Sequence, residues 1–216
     1  MAESRDELSG HPDQVRWDAR WAGAAPAFRP HPVAEQALAL DLPAGPVADL
    51  ACGPSGSALL AAARGRRVTA VDVSGVALGL LGGEARRRGL AGLITLVHAD
   101  LAAWRPDPGG YALVLGTGFW DPAVFAVAAG AVAPGGVLGW EAFTLDARRA
   151  RPTLDPAWCL GPGQPAALLP AGFAVLAQQD VPGPARDAPA QPGQDRDARR
   201  RLLARRLPEP PRGDHG

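Results

Sequence analysis

Lysine is absent from the sequence, and all 22 basic residues are arginine. A phosphate-binding loop of the P-loop type needs a lysine to reach the phosphates, so the glycine turn that begins at Gly53 is not of that type. Schiff-base chemistry, including that of pyridoxal phosphate, requires an amine nucleophile and is excluded as well. The absence of lysine therefore excludes P-loop phosphate binding and Schiff-base catalysis.

The sequence also has few cysteines and no formal net charge. The two cysteines, Cys52 and Cys159, are too few for a disulfide framework and predict a reducing, cytoplasmic location. The formal net charge is +0 at pH 7, which provides no field for nucleic acid or an anionic membrane. No run is apolar for long enough to span a bilayer. We expect a small-molecule partner, neither nucleic acid nor membrane, and a monomer or homodimer.

The order of apolar and helical segments predicts the fold. Short apolar segments alternate with helical ones, which is typical of an α/β protein with a doubly wound, Rossmann-like sheet and helices on both faces. The sheet is expected to be mostly parallel with an antiparallel last strand, although a short helix is the alternative for residues 199–207. Strands are expected at residues 47–51, 67–71, 93–97, 111–115, 137–143 and 173–177.

At 216 residues the chain fits one domain. We expect a flexible amino terminus at 1–14, a single domain at 15–207 and a disordered tail at 208–216. Within the domain, the expected parts are an amino-terminal helical cover at 15–45, a cofactor-binding core at 46–143, an insert at 144–170 and a loop at 181–197.

Acidic residues lie at the ends of three successive predicted strands. Asp49 precedes the turn from Gly53 to Gly56, Asp72 ends the second strand, and Asp100 follows the third. Capping of the next turn or helix is the alternative role for Asp49 and Asp72. Carboxyl ends of parallel strands meet at one edge, where Asp72 can accept from ribose hydroxyls and Asp100 from an adenine amino group. A dinucleotide fold has no use for the third acid, so the pattern favours S-adenosylmethionine.

Four segments resemble, in order, the motifs of class I S-adenosylmethionine-dependent methyltransferases: 49–53, 71–74, 99–101 and 133–138. Segments 16–21 and 140–144 are similar to the small bacterial tellurite-resistance-type members of that superfamily. The resemblance implies S-adenosyl-L-methionine as the cofactor. The expected cofactor contacts are Asp49, Gly53, Ser55, Gly56, Asp72, Val73, Asp100, Leu101 and Gly116.

Ser55 departs from the family pattern, which has a second glycine at this place. Its Cβ would lie where the methionine part of the cofactor passes closely. We therefore expect weaker binding of the cofactor, or a turn displaced by one residue.

The sequence indicates the binding site of the methyl acceptor less clearly than that of the cofactor. His31, between two prolines, is the candidate general base, whereas His98 is interpreted as a structural histidine. If the amino-terminal segment folds over the cofactor, aromatic residues would line an apolar acceptor pocket, with core packing as the alternative. The aromatic candidates are Trp17, Trp21, Phe119 and Trp120.

The leading interpretation is an EC 2.1.1-type enzyme that methylates a small molecule, either a soft nucleophile (a thiol or a metalloid) or a natural-product hydroxyl or amine. A cofactor-binding member that does not methylate, with a regulatory or other pathway role, is the first alternative. An NAD(P)-dependent oxidoreductase is the second. No metal site is expected, and the arginines at 196–206 are interpreted as a solvated strand border rather than an RNA-binding surface.

Overall fold

The computed structural model describes Leu8, residues 10–181 and residues 198–208. Most of the segments expected to be flexible lie outside these residues: 1–7 and 9 of the amino terminus, 182–197 of the long loop, and 209–216 of the tail.

Eight strands are described: β1 Val47–Leu50, β2 Val68–Asp72, β3 Ile94–His98, β4 Tyr111–Thr117, β5 Val132–Thr144, β6 Cys159–Leu160, β7 Phe173–Val181 and β8 Arg199–Arg206. They form one sheet in the order β3-β2-β1-β4-β5-β8-β7, and β6 pairs with the end of β5. Strands β1 to β6 run parallel, whereas β8 lies antiparallel between β5 and β7. The expected sheet with an antiparallel last strand is confirmed.

Five α-helices are described: α1 Pro12–Trp21, α2 Pro32–Leu38, α3 Gly56–Ala63, α4 Gly75–Arg87 and α5 Pro122–Ala131. Three of them, α1, α2 and α5, have proline in the first turn, where its fixed φ and missing N–H cost nothing. The other two begin after serine caps. No helix among these residues is long and apolar enough to cross a membrane.

The central strands of the sheet are buried on both faces. Val47 and Leu115 face a core formed with α2, α3 and α4, while Ala48 and Val114 face a second core formed with α5. This alternation follows from the period of two along a strand, and it places helices on both faces as expected. The second core holds Trp140, which is fully buried.

Some boundaries differ from those expected. Helix α1 begins at Pro12, inside the segment expected to be flexible, because a proline in the first turn starts a helix as readily as it breaks one. Strand β5 begins at Val132 rather than 137, since a register shift lets Pro134-Gly135-Gly136 remain within the strand. Residues 199–206 form a strand, not a helix.

Candidate active site

The turn after β1 is built around a buried pair, Asp49 and Ser55. The Ser55 hydroxyl donates to Asp49 Oδ2 at 2.5 Å and accepts from the Ala58 N–H at 3.0 Å. Burial raises the pKa of Asp49 to about 7, and the hydrogen bond from Ser55 opposes part of that rise. The serine that departs from the family pattern is therefore the N-cap of α3 and the partner of Asp49.

Asp72, at the end of β2, is bound to the glycine turn. Its Oδ2 accepts from the Gly53 N–H at 2.7 Å, and its Oδ1 accepts from the Ser74 N–H at 2.8 Å. Gly53 has a φ of +55°, which favours glycine at this position. Burial raises the pKa of Asp72. Each carboxylate oxygen has a second lone pair, so Asp72 can also accept from ribose hydroxyls.

Asp100 follows β3 at the same edge of the sheet. Its Oδ1 accepts from the Ala102 N–H at 3.0 Å, which closes the turn after the strand. Its Oδ2 lies 3.7 Å from His11 Nε2. The next residue, Leu101, is buried in the core beside α5.

Two other polar residues at this edge have structural roles. His98 Nε2 lies 2.9 Å from the carbonyl oxygen of Val73, which ties the end of β3 to the residue after β2. Asp121 accepts from two N–H groups at 2.8 and 3.0 Å and caps α5. The structural interpretation of His98 agrees with these contacts.

Two glycines expected to contact the cofactor make room for the protein itself. A Cβ on Gly56 would lie 2.3 Å from the carbonyl carbon of Arg29. A Cβ on Gly116 would lie 2.5 Å from the Trp140 ring. Gly56 thus admits the segment before α2, and Gly116 admits a core tryptophan, so neither glycine by itself indicates a ligand.

Glu141, on β5, is a fully buried acid on the other half of the edge. Its Oε1 lies 3.0 Å from His31 Nε2 and 3.4 Å from Arg199 Nη1, and its Oε2 accepts from Arg201 Nε. Burial alone would raise the pKa of Glu141, but the hydrogen bonds from His31 and Arg201 and the positive charge of Arg201 bring it below its ordinary value.

The arginines of β8 were interpreted as a solvated border, and for Arg199 and Arg201 this is wrong. Their side chains are only 16% exposed, because both lie against the buried Glu141. The missed signal is a glutamate within the apolar run 137–143. An acid buried there needs cationic partners, which the antiparallel β8 supplies.

His31 joins α2 to this cluster through both ring nitrogens. Nδ1 accepts from the Val33 N–H at 3.3 Å, which makes Nε2 the protonated nitrogen that donates to Glu141 at 3.0 Å. The His31 N–H itself donates to Ser57 Oγ at 2.9 Å. A neutral imidazole held in this way has no lone pair left to accept a proton from an acceptor.

The aromatic residues after β4 belong to the core. Trp120 is 4% exposed and packs on Phe125 with ring centroids 5.5 Å apart. Phe119 packs against the same core, and its carbonyl accepts from Trp140 Nε1 at 3.1 Å. Phe119 and Trp120 therefore follow the alternative interpretation, core packing, rather than lining an acceptor pocket.

Helix α1 lies across the carboxyl edge. The Trp21 ring is 3.5 Å from the position that a Cβ on Gly53 would take. Trp17 is 37% exposed, and the guanidinium of its neighbour Arg16 lies 4.4 Å from the ring centroid of Trp158 in the insert. The amino-terminal segment thus does fold over the expected cofactor cleft.

Comparison with known proteins supports the resemblance. Residues 47–136 match the model of a family described as a methyltransferase domain. This match confirms the resemblance to class I S-adenosylmethionine-dependent methyltransferases and the cofactor expected from the sequence. The narrower likeness to tellurite-resistance-type members stays a prediction.

Solved structures share the fold at low identity. Geranyl diphosphate C-methyltransferase from Streptomyces coelicolor A3(2), in complex with S-adenosyl-L-homocysteine, is 14% identical, with a TM-score of 0.66 over 92% of this chain and 99% of that one. A protein described in connection with the conversion of a disulfide bond into a thioacetal group during echinomycin biosynthesis is 18% identical, with a TM-score of 0.65 over 92% and 94%. The [4+2]-cyclase SpnF is 17% identical, with a TM-score of 0.60 over 82% and 78%. No curated protein matches in the sequence search.

The residues at the edge fit the cofactor of this class. Asp72 offers carboxylate oxygens beside a glycine turn, and Asp49 lies beneath that turn, 1% exposed. Ribose hydroxyl groups and the ammonium group of the methionine part both require acceptors of this kind.

Proposed function

We propose that this methyltransferase acts on a small-molecule acceptor. The observation that carries the proposal is that Asp49, Asp72 and Asp100 lie at the same edge of the sheet, where Asp72 also binds the Gly53 turn. We also propose a reducing cytoplasm as its location, because both cysteines are free thiols, and a monomer or homodimer as its form.

The protein's contribution is mainly positioning. When bound, S-adenosylmethionine supplies a methyl group on a sulfonium, which is already an activated leaving group. Asp72 would accept from the ribose hydroxyls and Asp100 from the adenine amino group, while Asp49 holds the turn through Ser55. Helix α1 and the insert would exclude water above the methyl group, so alignment and desolvation lower the barrier.

The acceptor class follows from the engaged state of His31. Both of its ring nitrogens are occupied, so His31 offers no free lone pair as a base. Soft nucleophiles such as thiolates and metalloid anions need little or no base, whereas hydroxyl and amine acceptors often need one. We therefore favour a soft nucleophile over a natural-product hydroxyl or amine.

A second candidate is a member that binds the cofactor but does not methylate. The occupied His31 supports this candidate too, and the likeness to the cyclase SpnF shows that the fold also serves other chemistry.

The two candidates are separated by titration followed by an acceptor panel. Calorimetry with S-adenosylmethionine and S-adenosylhomocysteine is expected to give micromolar binding of both. Methyl transfer to thiols, metalloid oxyanions and phenols is then measured, and product from any of them favours the enzyme. Binding without turnover favours the second candidate, and absence of binding would overturn both.

A further inference from the structure

Helix α1 itself contributes little to the apolar core. None of its own residues is buried, and Val15 is 59% exposed, although Leu8, just before the helix, is buried. Apolar burial by the residues of α1 therefore holds this helix less firmly than it holds the other helices on the sheet. The position of α1 also depends on a few specific polar contacts at the carboxyl edge.

Asp18 makes the closest polar contacts between α1 and the rest of the protein. Its Oδ1 accepts from the Ser74 hydroxyl at 2.6 Å and from the Val76 N–H at 3.1 Å. A carboxylate that accepts from a hydroxyl and from an N–H at the start of a helix makes charge-assisted hydrogen bonds, which are stronger than neutral ones.

The partner of Asp18 belongs to the cofactor site. Ser74 is fully buried, and its N–H donates to Asp72 Oδ1 at 2.8 Å. One residue thus connects α1 to the acid expected to bind the ribose. The Asp18 charge also contributes to the raised pKa of Asp72.

The chain after α1 can act as a hinge. Residues 22–31 form neither helix nor strand, and Gly23 has a φ of +70°. Beyond them the chain is fixed again, since the Arg29 backbone packs on Gly56 and the His31 N–H donates to Ser57. Movement of α1 therefore need not disturb α2 or the sheet.

We propose that Asp18 is a positioning residue that fastens α1 over the cofactor cleft through Ser74 and Val76. Release of this contact opens the cleft, so Asp18 sets the rate at which the spent cofactor leaves. The part of the proposal that concerns release rests on the proposed function, whereas the closure of α1 does not.

The test compares Asp18→Ala and Asp18→Asn with Asp13→Ala, a control on the exposed side of the same helix. The first measurement is hydrogen exchange of the α1 amides in the ligand-free full chain. Asp18→Ala is expected to raise their exchange roughly 10-fold, the scale of one charge-assisted hydrogen bond, with little change in the sheet. Asp13→Ala is expected to stay within about twofold of the wild type.

The second measurement is dissociation of S-adenosylhomocysteine, followed by stopped-flow tryptophan fluorescence. Asp18→Ala is expected to accelerate dissociation roughly 10-fold. Asp18→Asn keeps an oxygen that can accept both hydrogen bonds and is expected to restore much of the slow release. A melting temperature close to that of the wild type would show that the variants remain folded.

Each result decides one claim. Unchanged α1 exchange in Asp18→Ala overturns the fastening role, whether or not the cofactor binds. Faster exchange with unchanged dissociation retains the fastening but overturns its control of release. If the wild type binds no S-adenosylhomocysteine, the proposed function and the claim about release both fail, and the exchange result still decides whether Asp18 holds α1.

Discussion

The two halves of the carboxyl edge hold buried acids in opposite ways. Around β1 and β2, Asp49 and Asp72 accept hydrogen bonds from a hydroxyl and from backbone N–H groups. Around β5 and β8, Glu141 is held by two arginines and a histidine. Burial raises the pKa of both aspartates, whereas the partners of Glu141 lower its pKa despite burial.

The difference shows that the partners of a buried acid decide its charge. Neutral donors offset only part of the cost of desolvation, and cationic donors offset more than all of it. The half around β1 and β2 is left with carboxylate lone pairs that can serve a ligand. The half around β5 is satisfied internally, so Glu141 stabilises the packing of β5, β8 and α2.

The largest expected effect on stability comes from removing the charge of Glu141, in the half around β5 and β8. Glu141→Gln removes the charge that pairs with Arg199 and Arg201 and leaves buried cations without a carboxylate. We expect a loss of about 3–5 kcal/mol in the free energy of unfolding, measured by urea denaturation.

Asp180→Asn is the matched control, because Asp180 also pairs with an arginine of β8 but its side chain is 62% exposed. Asp180→Asn is expected to lower the free energy of unfolding by less than about 1 kcal/mol. If the two variants lose equal stability, burial does not distinguish these ion pairs, and the comparison fails.

The next largest expected effect is a dependence of the free energy of unfolding on pH. The folded-state pKa of Asp49, about 7, lies above its ordinary value of 3.8, so folding favours the protonated form. The stabilisation is complete below about pH 4 and is lost as the pH rises through about 7. Asp49→Asn keeps an acceptor for Ser55 without the charge, so it should be more stable than the wild type at pH 8, by about 4 kcal/mol.

Denaturation of both proteins at pH 4 and pH 8 measures this effect. The advantage of Asp49→Asn should vanish at pH 4, where the wild-type carboxyl is protonated. An equal difference at both values of pH would mean that the titration of Asp49 does not cause it.

The smallest expected effect tests whether Asp72, in the half around β1 and β2, binds the cofactor. Asp72→Ala is expected to weaken binding of S-adenosylhomocysteine by about 1–3 kcal/mol, the scale of a lost charged hydrogen bond, as measured by calorimetry. Asp121→Asn, at the same edge but capping α5, should leave the affinity unchanged. Unchanged affinity in a folded Asp72→Ala variant would place the ribose elsewhere.

Much of the fold could be predicted because its signals are local. The apolar segments that became β1 to β4 are bounded by glycine, proline and acidic residues, and their ends were placed within a few residues. The same local logic located Asp49, Asp72 and Asp100, since strand ends in a parallel sheet share one edge. The sequence does not reveal Ser55 as cap and partner of Asp49, because that contact depends on how the turn folds back on β1.

The sequence by itself determined the alternation of strands and helices, the sheet edge where the acids meet, and the class of cofactor. These depend on periodicity and on residue types at strand ends, which act over a few residues. Only the tertiary structure decided that Glu141 pairs with Arg201, 60 residues away, and that Asp18 reaches Ser74 across 56. Such contacts depend on how distant segments pack, and no local pattern specifies which carboxylate meets which donor.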